Sequence, residues 1–330
     1  MLSLNIGKKY DIAIQIKDHV IRYAATKQHS LSHIHSYGEK YLPDGIIEKG
    51  KIINEASFDL ILEELTDEWK LKNQRVMFFV PDASVFFRKI SVPGDLPGEE
   101  IRGYLNFEIG STIHLPFEEA YFDYYIIDSE EELEENKARK LLFFAAPENL
   151  VSAYADKLEE FKMDPVAADV SALSLYRLFN RMEEASPEEH YLFIEWDLTS
   201  VNLSIFHEDK PVFMRHLPPG TEEERWEIDL QENRPADRGT GDFSVRDQLT
   251  EIERVYNFYK FTLNKGEQEV TKILLAGDHP RLKELKGKLE EAFPARTTEL
   301  VSSLSILEEA NETLPYQYIL PLSLCLKEVR

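Results

Sequence analysis

A strand–turn–strand pattern occurs twice in this chain, about half a chain apart, and it constrains the fold more than any other feature. The first copy runs from Asp11 to Tyr23. The second runs from Leu192 to Phe206 and is followed by a further returning segment, Lys210 to Arg215. In each, apolar residues alternate with polar ones at the two-residue period of a half-buried strand, and a polar turn separates the arms. Two such hairpins, each opening one half of the chain, predict a duplicated α/β plan.

Between and after the hairpins the pattern predicts the rest. His29 to Tyr41 reads as a third strand, and Ile46 to Ile53 as a short strand, turn and strand after the Pro43-Asp44-Gly45 turn. Ser57 to Lys72 places Phe58, Ile61, Leu62, Leu65 and Trp69 on one helical face. Arg75–Val80 and Val85–Ile90 read as strands, Pro147–Lys162 and Ala167–Met182 as helices. Residues 93–165 read as a small α+β subdomain inserted into a first lobe made of 1–92 and 166–187. Residues 188–330 form a second lobe. Within it, 218–244 is dense in charge, Gly and Pro, so it reads as a loop and the second lobe's small subdomain as reduced. Val245–Leu263 and Pro280–Phe293 read as helices around the strand Val270–Leu275, and Leu320–Lys327 as a buried closing helix.

The formal net charge of −23 argues against a nucleic-acid groove or direct docking on an anionic bilayer, which need concentrated Lys and Arg. A single cysteine, Cys325, permits no internal disulfide and suits a reducing cytosol. No signal segment opens the chain and no apolar run approaches ~20 residues, so the expectation is a cytoplasmic protein that meets the membrane only through a partner.

Several segments in order resemble the PilM family of type IV pilus assembly proteins, and more distantly FtsA of the division ring. They are Leu42 to Ile52, Val85 to Pro93, Ile109 to Tyr125, and Glu251 to Tyr259. The resemblance implies an actin-like ATPase fold in which glycine-bearing turns clasp the phosphates of ATP. Here those turns are altered. The family's Asp-Ile-Gly falls on Gln15-Ile16-Lys17 in the first hairpin and on Glu195-Trp196-Asp197 in the second, with a later threonine replaced by Val201. A Gly-Gly pair falls on Gly277-Asp278, and a closing glycine near Ser323. Glycine lets backbone N–H groups approach a phosphate at φ > 0. Lys17 adds bulk, although its ammonium is itself attractive to phosphate. Asp197 and Asp278 place carboxylates where an anion would sit. Two unit charges ~4 Å apart at an effective dielectric of ~20 repel by roughly 4 kcal/mol, about three orders of magnitude in affinity. Gln15 loses the carboxylate that would hold the magnesium shell. ATP and magnesium binding is therefore expected to be weak or absent. A register one residue different would instead make Asp18 or Asp197 metal-facing.

The resemblance further implies a partner, the short cytoplasmic tail of the single-pass membrane protein PilN, docked in a groove between the first lobe and the insert. Phe87, Arg88, Tyr104, Glu108 and Tyr124 are the residues expected near it. Of the aromatic group Phe107, Phe117, Tyr121, Phe122, Tyr124 and Tyr125, about half are expected in the insert's core. His29, His33 and His35 would share one strand face, a conceivable metal edge that reads more simply as a solvated face. The alternative reading is an active, polymerising ATP-binding protein of the FtsA type. A small-molecule kinase on the same fold would need an aspartate at Gln15.

Overall fold

A computed structural model describes residues 10–27, 29–128, 138–182, 185–218, 226–236, 242–301 and 315–329. The first lobe opens with β1 (Asp11–Lys17), β2 (Val20–Lys27), β3 (Ser30–Tyr41), the two-residue β4 (Ile47–Glu48) and β5 (Lys51–Ile52), and β6 (Arg75–Phe79). Then come β7 (Phe86–Pro93), β8 (Ala120–Ile126), β9 (Ala138–Pro147) and β10 (Asp164–Asp169). The second half holds β11 (Tyr191–Trp196), β12 (Val201–His207), β13 (Lys210–Leu217), β14 (Glu227–Asp229), β15 (Arg234–Ala236), β16 (Lys272–Ala276) and β17 (Thr297–Leu300). Two five-stranded sheets repeat one order, β3-β2-β1-β6-β10 and β13-β12-β11-β16-β17. In each, the opening hairpin is antiparallel and the next two strands join parallel to it. The duplication expected from the two hairpins is thus carried through the whole of both sheets.

The sheets share one core. Helices Ser171–Arg181 and Ile319–Cys325 supply Leu175, Leu178, Phe179, Ile319, Leu322 and Leu324 to it, with Ala13, Ala24 and Met77 from the first sheet and Phe193, Phe206 and Leu274 from the second. Each fully buried Leu or Phe there contributes about 1.5–3 kcal/mol. The other face of the second sheet is covered by Asp242–Asn257 and Leu282–Ala292 through Val245, Ile252, Val255, Leu285 and Leu289. The helix Asp242–Asn257 runs on into a π-helical turn, Phe258–Leu263.

Several expectations need correcting. Ala167 and Ala168 belong to β10, paired parallel with β6, and the following helix starts at Ser171. The segment 218–244 is not all loop: β14 and β15 form a hairpin, and the helix after it begins at Asp242. β17 was not expected. The chain divides into two compact units, one of Met1–Ala83 with Lys157–Arg330 and one of Ser84–Asp156. The second starts earlier than residue 93 because β7 pairs with β9, in a three-stranded sheet β7-β9-β8. Its core joins Ile101 and Leu105 of the helix Ile101–Glu108 to Val92, Leu141 and Phe143. The acidic run Ser129 to Glu135, which reads from the sequence as a solvated turn, lies outside the described residues.

Candidate functional site: a cleft bridged by its own charges

The hairpins set the site. Gln15 lies directly opposite Arg22 in the first, and Glu195 opposite Asn202 in the second, so the two sets hold equivalent places. Lys17 and Asp197 follow at the ends of β1 and β11, and Gly277 and Asp278 follow β16 beside them. Gly277 has φ +122°, and a Cβ there would lie 2.0 Å from the Trp196 carbonyl oxygen, so only glycine fits. This close approach carries Asp278 back over the second turn.

Two ion groups cross between the lobes. Lys17 Nζ lies 2.5 Å from Glu195 Oε1 and is also paired with Asp197. Burial opposes the Lys17 charge, but Asp197 and Glu195 outweigh it and hold the ammonium well above its usual range. Asp278 forms the second group. Its Oδ1 accepts the Leu198 backbone N–H at 2.8 Å, and its Oδ2 lies 2.5 Å from Arg22 Nη1 and 2.8 Å from His19 Nε2. Burial would raise this carboxyl, yet His19 and Arg22 hold it well below the carboxylate range. Arg22 is fully buried and also donates to Glu39 at 2.8 Å and to the Tyr41 hydroxyl.

A third crossing is neutral at one end. Asp82 accepts from Ser171 Oγ at 2.5 Å and from Asn202 Nδ2 at 2.9 Å. Burial and the neighbouring Glu195 charge push its carboxyl up to about 7. Asn202 in turn meets Glu195 and His216. Burial lowers the His216 imidazole. The turn itself is packed, with Leu198 against Val20 and Tyr41.

Among the described residues, a cavity of about 10 Å³ in the cleft is lined by Gln15, Arg22, Glu195, Asp197, Asp278 and Tyr316 among others. That is the room one water needs. Gln15 is 2% exposed, and among the described residues its Oε1 has no hydrogen-bond partner. The structure thus brings Gln15, Lys17, Glu195, Asp197, Gly277 and Asp278 together. Val201 is instead buried in the second lobe's core, and Ser323 returns its hydroxyl to the Leu320 carbonyl within the closing helix. Asp18 accepts the backbone N–H groups of Lys49 and Gly50, a turn-closing role.

Sequence reasoning missed Arg22, His19, Asp82 and Asn202. One signal was present: Arg22 interrupts the apolar run Val20 to Ala25, and a charge buried there needs a partner. The bare carboxylates expected at Asp197 and Asp278 are in fact each matched by a cation, partly buried Lys17 and fully buried Arg22.

The expected partner residues all lie in the unit Ser84–Asp156. Arg88 and Tyr124 flank Phe143 from the strands on either side of it, and Tyr104 packs on the same core. Arg88 is exposed, with its guanidinium 5.5 Å from the Phe86 ring. Phe87 takes the opposite face of β7 and meets Phe144 at 4.9 Å. The Glu108 carboxylate accepts the Thr112 hydroxyl. Phe107, Tyr121 and Tyr125 are 80%, 49% and 60% exposed, whereas Phe117, Phe122 and Tyr124 pack on the core. His29 lies in the turn before β3, near Asp11, and His35 stacks on Tyr10. The His33 side chain lies outside the described residues. Among the described residues no group of three His, Cys, Asp or Glu is placed to hold a metal.

The fold is the actin-like ATPase fold. The structure of a PilM–PilN type IV pilus biogenesis complex superposes with a TM-score of 0.73 at 19% identity, over 96% of this chain and 97% of that one. The ethanolamine utilization protein EutJ from Carboxydothermus hydrogenoformans superposes at 0.52 and 10% identity, over 96% and 89%. The family of the type IV pilus assembly protein PilM matches residues 13–229, and the chain belongs to it. No curated protein matches it by sequence. No described helix is long and apolar enough to cross a membrane.

Proposed function

We propose that this protein is a cytoplasmic adaptor of a type IV pilus-like assembly platform that binds the cytoplasmic tail of a PilN-like membrane protein and works without ATP. Family membership supports the pilus role, and the solved complex of a relative with PilN supports the partner. One observation carries the nucleotide-free part: Lys17 of the first hairpin is held by Glu195 and Asp197 of the second, across the place where the turns would clasp phosphate. Magnesium-ATP does not fit this arrangement. Its phosphates would have to displace Lys17 from two carboxylates and take the Leu198 N–H from Asp278. The same closure disfavours a polymerising ATPase of the FtsA type.

The tail would dock on the insert surface bearing Arg88, Tyr104 and Tyr124, with Arg88 meeting a carboxylate and the rings holding apolar side chains. Titration of a fluorescent PilN-tail peptide tests this. Alanine at Arg88 and Tyr104 together should weaken binding by roughly tenfold or more, while Phe87→Ala, on the other face, should change it little. Unchanged binding by the double variant would remove this surface from the account.

A further inference from the structure

We propose that Asp278 is a tethered anion that fills an oxyanion cradle built from Arg22, His19 and the Leu198 N–H, so that the cradle is closed to outside anions by the chain itself. The inference rests on the nucleotide-free reading of the cleft and extends it to how the cleft is kept closed.

The donors come from separate parts of the chain. His19 lies in the first hairpin's turn and Arg22 on its β2 arm, and Leu198 lies in the second hairpin's turn. All three are buried, and their N–H groups converge on the two oxygens of one carboxylate at 2.5, 2.8 and 2.8 Å. A guanidinium, an imidazole and a turn N–H meeting around one small anion are the donor set of a carboxylate or phosphate site. Here the anion is covalently attached. The positive-φ backbone of Gly277 positions it, since no other residue could pass so close to Trp196. Attachment gives the carboxylate a high effective concentration, so a free anion of similar intrinsic affinity cannot compete. An outside carboxylate or phosphoryl group would gain the cradle only when Asp278 leaves it, which makes Asp278 an autoinhibitory contact.

Asp278→Ala removes the tethered anion and leaves Arg22 buried without its main partner. The test is thermal unfolding of wild type and Asp278→Ala in sodium formate, and separately in inorganic phosphate, each against chloride at equal ionic strength. A core variant, Leu289→Ala, controls for general stabilisation by phosphate. Millimolar formate or phosphate should raise the Tm of Asp278→Ala by roughly 3 °C or more beyond the shift in either control. Adding Arg22→Met should abolish that gain. If Asp278→Ala is too unstable to purify, refolding yield in formate against chloride is the readout, and selective recovery is expected. Shifts equal to those of Leu289→Ala, or no selective recovery, would overturn the proposal while leaving the wild type's behaviour toward ATP untouched. Nucleotide binding by wild type would overturn the reading it rests on and is scored separately.

Discussion

Lys17 is where one residue decides most. Its ammonium sits between two buried carboxylates, and removing one partner of a buried pair leaves charge uncompensated, a loss of about 3–5 kcal/mol. Lys17→Met should therefore lower stability by that order in chemical denaturation. Adding Glu195→Gln and Asp197→Asn should restore much of it, because the uncompensated charge is then gone. Asp82 makes a pH prediction of its own. Its folded carboxyl titrates at about 7 against an ordinary 3.8, so the folded state binds the extra proton between those values. Stability from this group is fully present below the unfolded value and is lost as pH rises toward 7. The groups facing it are Lys17, Glu195, Ser171 and Asn202. The loss is at most about 4 kcal/mol. Wild type minus Asp82→Asn stability should fall between pH 4 and pH 7, and a flat difference would contradict the raised carboxyl.

At the scale of elements, the turn after β16 depends on Gly277. Gly277→Ala drives a methyl into the Trp196 carbonyl at a φ that side chains avoid, so a loss of at least about 3 kcal/mol, seen as a lower Tm or insoluble protein, is expected. Full wild-type stability would show that the turn relaxes freely. The elements also show what the sequence could and could not reveal. The hairpins were legible because their period-2 alternation is strong and each turn is polar. β10 was hidden because Ala167 and Ala168 favour helix locally, and parallel pairing with β6 overrode that preference. β14, β15 and β17 were hidden because three or four residues hold too little periodicity, and Pro235 reads as a breaker. The cleft residues Gln15, Lys17, Glu195, Asp197 and Asp278 were legible position by position. Their partners were not: Asp278 meets Arg22 256 residues away, and no local pattern encodes such a pair.

At the scale of the whole molecule, the two halves keep a common sheet plan, and their turns carry charge. The β hairpins close on each other, through Lys17 to Glu195 and Asp197, Asp278 to Arg22 and His19, and Asp82 to Asn202. These groups are largely shielded from solvent, so salt should weaken them little. On the nucleotide-free reading proposed above, a bridged cleft suits a scaffold that presents one surface to its partner whatever the nucleotide level. The measurement that tests this most directly is calorimetric titration of the wild-type protein with magnesium-ATP. No heat of binding and no thermal shift at millimolar nucleotide is the predicted result. Saturable binding in the micromolar range or tighter would mean that the charges part for a nucleotide, and would contradict the account.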